Sequence, residues 1–237
     1  KQTVLGFSWA IIRPVFSMLI FSFIFGGLAK VPSDGIPYPI FSYVALIPWT
    51  YFSTSMTLST QSLIANKAVF TKVYYPRLII PIVPVLSKLI DFIIAFIILF
   101  FMMVYYRIIP NINILFLPLL ISLMMLSSAG IGMILSAMAI RYRDIPHGIQ
   151  FLSQLLMYAA PVVWPVSLIE QKFSYPFYLL YGSYPMVGVI EGFRACLLGK
   201  ETMPWDLIFV GFISSILVFI FGAYYFKNKE RTFADVA

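Results

Sequence analysis

The chain has 237 residues, of which 61% are hydrophobic and only 11% charged, with a formal net charge of +7. A soluble domain carries about 25% charged residues, so this composition cannot cover a water-exposed globule and indicates one integral membrane domain without a separate soluble one. The single cysteine, Cys196, excludes an internal disulfide and a CxxC metal site, and the positive balance suits loops that meet anionic headgroups better than nucleic acid. The chain begins at Lys1, so residues upstream of it are expected, and its long first apolar run lacks the small-residue cleavage site of a signal peptide.

The first span is predicted at about 9–28, since about 20 apolar residues cross a bilayer. Arg13 and Pro14 interrupt only its start, and Arg13 can snorkel to the headgroups. Gly26, Gly27 and the run Lys30 to Gly35 make an outer turn. The second span, about 40–64, holds Pro48, Trp49, Tyr51 and Phe52 and then Ser53, Thr54, Ser55, Thr57, Ser59, Thr60, Gln61 and Ser62. Hydroxyls bond back to their own helix and so are tolerated in lipid, but so many together fit either a helix–helix contact or a pore wall.

Asn66 to Pro81 follows. It is basic (Lys67, Lys72, Arg77), has no acidic residue, and interleaves its charges with Val69, Phe70, Val73, Tyr74 and Tyr75 before Pro76. This pattern predicts a short amphipathic helix over about 66–77, lying on a membrane face and touching a protein partner.

The third span is predicted at about 79–106. Lys88 and Asp91, at i and i+3, share a helix face and can pair; we read the pair as structural and near the cytoplasmic surface. The fourth span, about 114–140, carries Ser128, Gly132 and Ser136 as a small-residue stripe for close helix approach. Arg141, Tyr142, Arg143 and Asp144 then form a charged inner turn. The fifth span, about 149–165, is broken near its outer end by Pro161 and Pro165. The stretch 166–204 is too polar to span and too aromatic for a solvated loop. Pro185 opens a short helix within it and Gly199 ends it. Such a segment dips into the outer leaflet where protein or a water-filled cavity covers its backbone. The sixth span is about 205–226.

With the N-terminus inside, Lys1, Lys67, Lys72, Arg77, Arg141, Arg143, Lys227, Lys229 and Arg231 fall on the inner side. The outer Lys30, Arg107, Lys172, Arg194 and Lys200 are mostly offset by acids, which favours two cytoplasmic termini. The predicted fold is therefore an all-α membrane domain of six transmembrane helices, with an amphipathic inner helix and short re-entrant outer helices between spans five and six.

The sequence has no G-x-x-x-x-G-K-[ST] phosphate loop, so the chain is not expected to hydrolyse ATP itself. His147, the single histidine, has no nearby cluster to make it a ligand or a triad member. Glu191 with Arg194 has the spacing of a helix-surface ion pair rather than of a catalytic constellation. An ion-coupled carrier would need ionisable groups at mid-membrane, and almost none are seen. No enzyme activity, metal or cofactor is expected on this chain.

These residues in order resemble the membrane permease subunit of the ABC-2 transporters that export polysaccharides such as O-antigen, capsule or teichoic acid. The elements carrying the resemblance cover nearly the whole chain: Leu5-Gly6 with Trp9 and Pro14; Pro48-Trp49 with Phe52-Ser53; Asn66 with Lys72-Val73-Tyr74-Tyr75-Pro76-Arg77; Tyr142-Arg143-Asp144; and Pro161-Val162 with Trp164-Pro165. The chain departs from the family in having Tyr184 before Pro185, where Asn is common, and Trp164 where Tyr is common. Both departures touch the outer segment.

The resemblance implies a half-transporter in the cytoplasmic (inner) membrane of a bacterium. Two copies would pair, and each would dock one nucleotide-binding ABC subunit holding ATP and magnesium. The coupling residues would be Asn66, Lys67, Phe70, Lys72, Tyr74, Tyr75, Pro76 and Arg77, with Arg141, Arg143 and Asp144. The cargo would be an undecaprenyl-diphosphate-linked glycan threaded between the copies, with the outer segment as its gate. Aromatic rings with a polar handle suit a weak, repeated sugar contact, so Trp49, Tyr51, Phe52, Tyr158, Trp164, Tyr178, Tyr181 and Tyr184 are candidates for a glycan path, although an interfacial aromatic belt has the same composition. Arg13, Lys72 and Arg77 are candidates to attract the diphosphate. The alternatives are an ABC-2 exporter of teichoic acid, capsule, drugs or lipids, and a membrane-embedded glycan enzyme.

Overall fold

The computed structural model describes residues 9–66, 76–199 and 202–230, and these are helical without a strand. The helices are α1 (Trp9–Phe21), which continues as a π-helical stretch Ser22–Leu28, α2 (Tyr38–Ala65), α3 (Ile79–Tyr106) and α4 (Leu117–Arg141), which is preceded by a 3-10 turn at Ile112–Phe116. They continue with α5 (Ile145–Ala159), α6 (Ser167–Lys172), α7 (Tyr175–Gly182), α8 (Pro185–Leu197) and α9 (Trp205–Glu230).

Among the described residues, four helical stretches are long and apolar enough to cross a membrane: Ile11–Leu28, Ile79–Tyr106, Ile112–Arg141 and Trp205–Glu230. The other two predicted spans fall outside that set for separate physical reasons. α2 has 28 residues, about 42 Å of helix at 1.5 Å per residue, so its length suffices; its hydroxyls lower its hydropathy. α5 has 15 residues, about 22 Å, which is short of a hydrocarbon core about 30 Å thick.

The hydroxyls of α2 are explained by its position. It packs against α1, α3, α4, α5 and α8, and Ile40, Phe41, Tyr43, Val44, Phe52 and Met56 are wholly buried along it. A helix covered by protein on most sides need not be apolar toward lipid. Its hydroxyls tie it to its neighbours instead: Ser59 Oγ donates to the Pro81 carbonyl at 2.6 Å and the Tyr51 hydroxyl to Val85 at 2.7 Å, both on α3. The predicted small-residue stripe on α4 meets α2, since a Cβ on Gly132 would overlap Ser59. On its other side α4 crosses α9, where a Cβ on Gly222 would strike the Gly130 carbonyl and Ser127 Oγ lies 2.9 Å from Ser215 Oγ.

The outer segment splits into two unlike parts. α6 and α7 are short and largely exposed, whereas all 13 residues of α8 are buried. Pro185, the first residue of α8, rests near Gly211, about 9 Å along α9 from Trp205 at 1.5 Å per residue. At its other end, Gly199 (φ +70°) lies near the Ile109 carbonyl. The chain thus dips into the helical body at the turn between α7 and α8, and α8 leads back out of it, enclosed by α2, α4 and α9. Gly199 ends it, as its freedom at positive φ allows.

Candidate functional site

The structure brings polar side chains together in a groove between α1, α2, α3 and α5. Two adjoining cavities form it. One, of about 220 Å³, is lined by Trp9, Arg13, Thr50, Tyr51, Thr54, Lys88 and Asp91 among others. The second, of about 490 Å³, is lined by Arg13, Ser53, Thr54, Thr57, Lys88, Gln150, Ser153 and Gln154. Arg13, Thr54 and Lys88 border both.

Local chemistry explains why these groups tolerate their position. Thr54 Oγ1 donates to the Thr50 carbonyl at 2.6 Å and Thr57 Oγ1 to Ser53 at 2.8 Å, so each hydroxyl proton is used within the helix and an oxygen lone pair still faces the groove. Lys88 Nζ is 2.6 Å from Asp91 Oδ2, with the two side chains 30% and 34% exposed. The pair lies about 14–18 Å along α3 from Ile79 at 1.5 Å per residue. The pair borders both cavities through Lys88 and the smaller one through Asp91. The Arg13 guanidinium lies 5.5 Å from the Trp9 ring, a cation–π distance.

The hydroxyl run of α2 therefore divides by face. Ser55, Ser59, Thr60 and Ser62 are buried against protein, while Ser53, Thr54 and Thr57 line the groove. Gln150, Ser153 and Gln154 were not singled out from the sequence. Their i, i+3, i+4 spacing on α5 is the signal of one polar helix face.

The break between α5 and α6 is held by side chains from elsewhere. A helix end leaves carbonyls without partners. The Tyr181 hydroxyl donates to Ala159 at 2.7 Å, and that of Tyr38 to Val163 at 2.6 Å. Arg194 donates through Nη2 to Val162 at 3.0 Å and through Nη1 to Trp164 at 3.3 Å. Its Nη1 also lies 2.7 Å from Glu191 Oε1, which accepts the Val166 N–H at 3.1 Å. The guanidinium stands 3.7 Å over the Phe41 ring. Burial raises the proton affinity of the Glu191 carboxyl, and Arg194 and the Val166 N–H pull it back. Beside this latch is a cavity of about 780 Å³ bordered by Asp34, Glu170, Glu191 and Asp206, acidic where the groove beside α2 carries Arg13 and Lys88 with Asp91.

The remaining predicted residues are placed as follows. Trp49, Tyr51 and Phe52 are buried in the core, with Tyr51 also touching the smaller groove cavity. Tyr158 is exposed. Trp164 stacks on Tyr181 with centroids 5.8 Å apart, and Tyr178 borders the acidic cavity. Tyr184 packs against the cluster of Val166, Val187 and Leu207. Asn66 closes α2, with Nδ2 donating to the Ser62 carbonyl at 2.8 Å. Arg77 Nη1 donates to the Glu230 carbonyl at 2.9 Å, joining the start of α3 to the end of α9 below Pro76. Lys67, Phe70, Lys72, Tyr74 and Tyr75 lie outside the described residues. Arg141, Arg143 and Asp144 are exposed at the turn from α4 to α5, and the Arg141 guanidinium sits 5.7 Å from the Tyr142 ring.

Comparison with known proteins gives a consistent picture. The family model described as "ABC-2 type transporter" matches residues 1–194. An O-antigen export system permease protein RfbA of Klebsiella pneumoniae is 25% identical over 237 residues, covering 100% of this chain and 89% of that protein. A Myxococcus xanthus protein of the same name is 24% identical over 236 residues, 99% of this chain and 89% of its own. The polysialic acid transport protein KpsM of Escherichia coli is 26% identical over 235 residues, 95% of this chain and 87% of its own.

Proposed function

This chain belongs to the ABC-2 type transporter family, and from that premise we propose that it is the permease subunit of an ATP-driven exporter of lipid-linked polysaccharide of the O-antigen kind. The observation that carries this reading is similarity along 95–100% of the chain to permeases named for O-antigen export and polysialic acid transport. The groove beside α2 supports it: a cationic, hydroxyl-lined path within a membrane domain suits a cargo with a charged head and many sugar hydroxyls.

In the full assembly, two copies pair and each engages a nucleotide-binding subunit that holds ATP and magnesium. The chain crosses the bacterial inner membrane six times, α2 and α5 included, with both termini in the cytoplasm. α2 crosses because protein covers its hydroxyls. α5 crosses together with the irregular turn 160–165, whose carbonyls are met by Tyr38 and Arg194 in the way non-helical backbone requires at membrane depth. The stretch 66–77 receives the push of the nucleotide-binding subunit, and Arg77 passes it toward α9 through the Glu230 carbonyl. The segment from α6 to α8 gates the outer mouth. The similarity to KpsM supports a capsule-type glycan as the second reading of the cargo.

The test is export. The chain, co-expressed with its nucleotide-binding partner in a bacterium lacking its own O-antigen exporter, restores surface polysaccharide, and lipid-linked glycan stimulates the ATPase of the purified complex. Stimulation by hydrophobic drugs but not by glycan would favour a drug or lipid exporter. Glycan extension by the purified chain alone would make it an enzyme. Arg77→Gln is expected to leave ATP hydrolysis in place and reduce export about tenfold, the size expected for loss of one charge-assisted hydrogen bond of about 1.5 kcal/mol.

A further inference from the structure

The helix that begins as α1 does not stay α-helical to its end. From Ser22 to Leu28 it runs as a π-helical stretch, and the Ala29 N–H donates to the Ile24 carbonyl, five residues back, at 2.8 Å. A π turn takes up an extra residue relative to an α turn, and such stretches are rare and concentrate at functional positions. Two features mark this one as a joint. The hydroxyls of Thr60, Ser127 and Ser215 each bond back to the carbonyl four residues before, as helical hydroxyls do. The Ser22 hydroxyl, at the first residue of the stretch, is buried and has no partner among the described residues. Gly26 is the second feature. A Cβ there would lie 2.8 Å from Cγ of Tyr38, so the Tyr38 side chain rests directly on the backbone of the stretch, a close approach that glycine permits.

Tyr38 reaches a second element as well. Its hydroxyl donates to the Val163 carbonyl at 2.6 Å, between the Val162 and Trp164 carbonyls that Arg194 holds. Tyr38 opens α2 and stands between Pro37 and Pro39, whose rings fix their own φ. One well-anchored side chain therefore has its ring on the helix of α1 and its hydroxyl on the turn after α5. α1 itself is lightly held: among its described residues only Pro14 and Met18 are buried.

We propose that the π-helical stretch is a register switch for α1, and that Tyr38 is the positioning residue that couples this switch to the turn after α5. Giving up the extra residue turns the Trp9–Phe21 half of the helix by about 100° and slides it by about 1.5 Å. That half carries Arg13, which borders both cavities of the groove, so the groove wall changes whenever the switch does. Apart from the face of Arg13 and Ser17, the same half is apolar round its axis, with Ile11, Ile12, Phe16, Met18, Ile20 and Phe21, so rotation exchanges one apolar face for another. Tyr38 makes rotation of α1 and movement of the turn one event, because neither shifts without displacing the ring or the hydroxyl of the same residue. The proposal rests on the reading above that the segment from α6 to α8 gates the path, and it adds the residue that ties that gate to the groove.

The experiment reads the rotation of α1 directly. Ser17 follows Arg13 by one helical turn on the same face, and Ser17→Cys is introduced into the chain assembled with its nucleotide-binding partner in nanodiscs. The native Cys196 is buried, so the parent complex is the blank. Modification of Ser17→Cys by a water-soluble methanethiosulfonate reagent is expected to differ in rate between the nucleotide-free complex and the complex trapped with ATP and vanadate. Tyr38→Phe keeps the ring on Gly26 and removes only the hydroxyl, and there the difference should shrink about fivefold, a factor equivalent to one hydrogen bond. Glycan exported per ATP hydrolysed should fall with it while the melting midpoint falls only slightly, a split that a purely structural bond does not produce. An unchanged nucleotide response in Tyr38→Phe, or a melting midpoint that falls in step with export, would make the bond a structural cap and overturn the coupling.

Deletion of Gly27, an exposed residue where a Cβ would meet the Ser22 carbonyl at 3.8 Å, takes the extra residue out of the stretch. It is expected to fix the modification rate of Ser17→Cys whatever the nucleotide, and to abolish export while ATP hydrolysis continues. Normal export with Gly27 deleted would show the π turn to be passive and overturn the switch. If the deletion prevents assembly, Tyr38→Phe decides alone. A complex that exports glycan with one nucleotide-independent rate at Ser17→Cys would overturn the switch and leave the exporter reading in place. A complex whose rate responds to nucleotide but which restores no surface polysaccharide would overturn the exporter reading and leave the switch standing.

Discussion

Lys88 with Asp91 and Glu191 with Arg194 are the same feature written twice in the sequence: opposite charges at i and i+3 on a helix. Their geometry is also the same, with closest approaches of 2.6 and 2.7 Å. Their surroundings are not. The first pair is 30% and 34% exposed along a groove, while Arg194 and Glu191 are 1% and 5% exposed. The buried pair has recruited the Val162 and Trp164 carbonyls, the Val166 N–H and the Phe41 ring; among the described residues the open pair has only itself. Spacing thus determines that a pair forms, and tertiary burial determines whether it is a fixed joint or a loose one.

The largest expected effect breaks the fixed joint. Arg194→Gln leaves the Glu191 carboxyl buried without its counter-charge and removes the guanidinium contacts to the turn after α5. Losing one member of a buried pair costs about 3–5 kcal/mol. Thermal unfolding of the detergent-solubilised chain, followed by fluorescence-detected size exclusion, should show a large fall in midpoint. Replacing both members, as Glu191→Leu with Arg194→Met, should recover much of the loss, because an apolar pair carries no desolvation penalty. A single variant as stable as wild type would mean that the latch does not hold the turn.

A smaller effect isolates a single bond of the same turn. Tyr181→Phe keeps the ring stacked on Trp164 and removes the hydroxyl that donates to Ala159. The expected loss is roughly 0.5–1.5 kcal/mol, and it should appear in the melting midpoint while Arg194 keeps the turn in place. If Tyr181→Phe destabilises as much as Arg194→Gln, the aromatic layer rather than the ion pair is the joint.

How much of this was legible in the sequence follows the same line. The break after Ala159 was written in Pro161 and Pro165, the end of α8 in Gly199, and the close approach of a helix to α4 in Gly132, because each depends on the backbone chemistry of one residue. The central position of α2 was harder to see: its hydroxyls marked it as unsuited to lipid without saying what covers it. Helix–helix contact and a pore wall are the alternatives the sequence leaves for those hydroxyls; Ser55, Ser59, Thr60 and Ser62 are buried in contacts, and Ser53, Thr54 and Thr57 line a cavity. Glu191 and Arg194 were read as a helix-surface pair because an i, i+3 spacing carries no information about α2, α4 and α9 closing over it. The groove is assembled from four helices distant in sequence, so only its separate parts (Arg13, the Lys88–Asp91 pair, the polar face of α5) were available to a linear reading.

The smallest expected effect on stability is the one that best tests the loose joint. Lys88→Gln removes an ion pair about one-third exposed, and such pairs contribute roughly 0–1 kcal/mol. Asp91 is then left without its counter-charge, but beside a cavity that admits water, where a carboxylate stays hydrated instead of being trapped as Glu191 is. The melting midpoint of Lys88→Gln should therefore sit close to wild type, and far above that of Arg194→Gln, in the same assay. A fall as large as that of Arg194→Gln would show that Lys88 and Asp91 hold α3 against its neighbours, and the contrast between the two pairs would collapse. A near-neutral result separates the two cleanly: one pair keeps the turn after α5 in place, and the other carries little of the fold's stability.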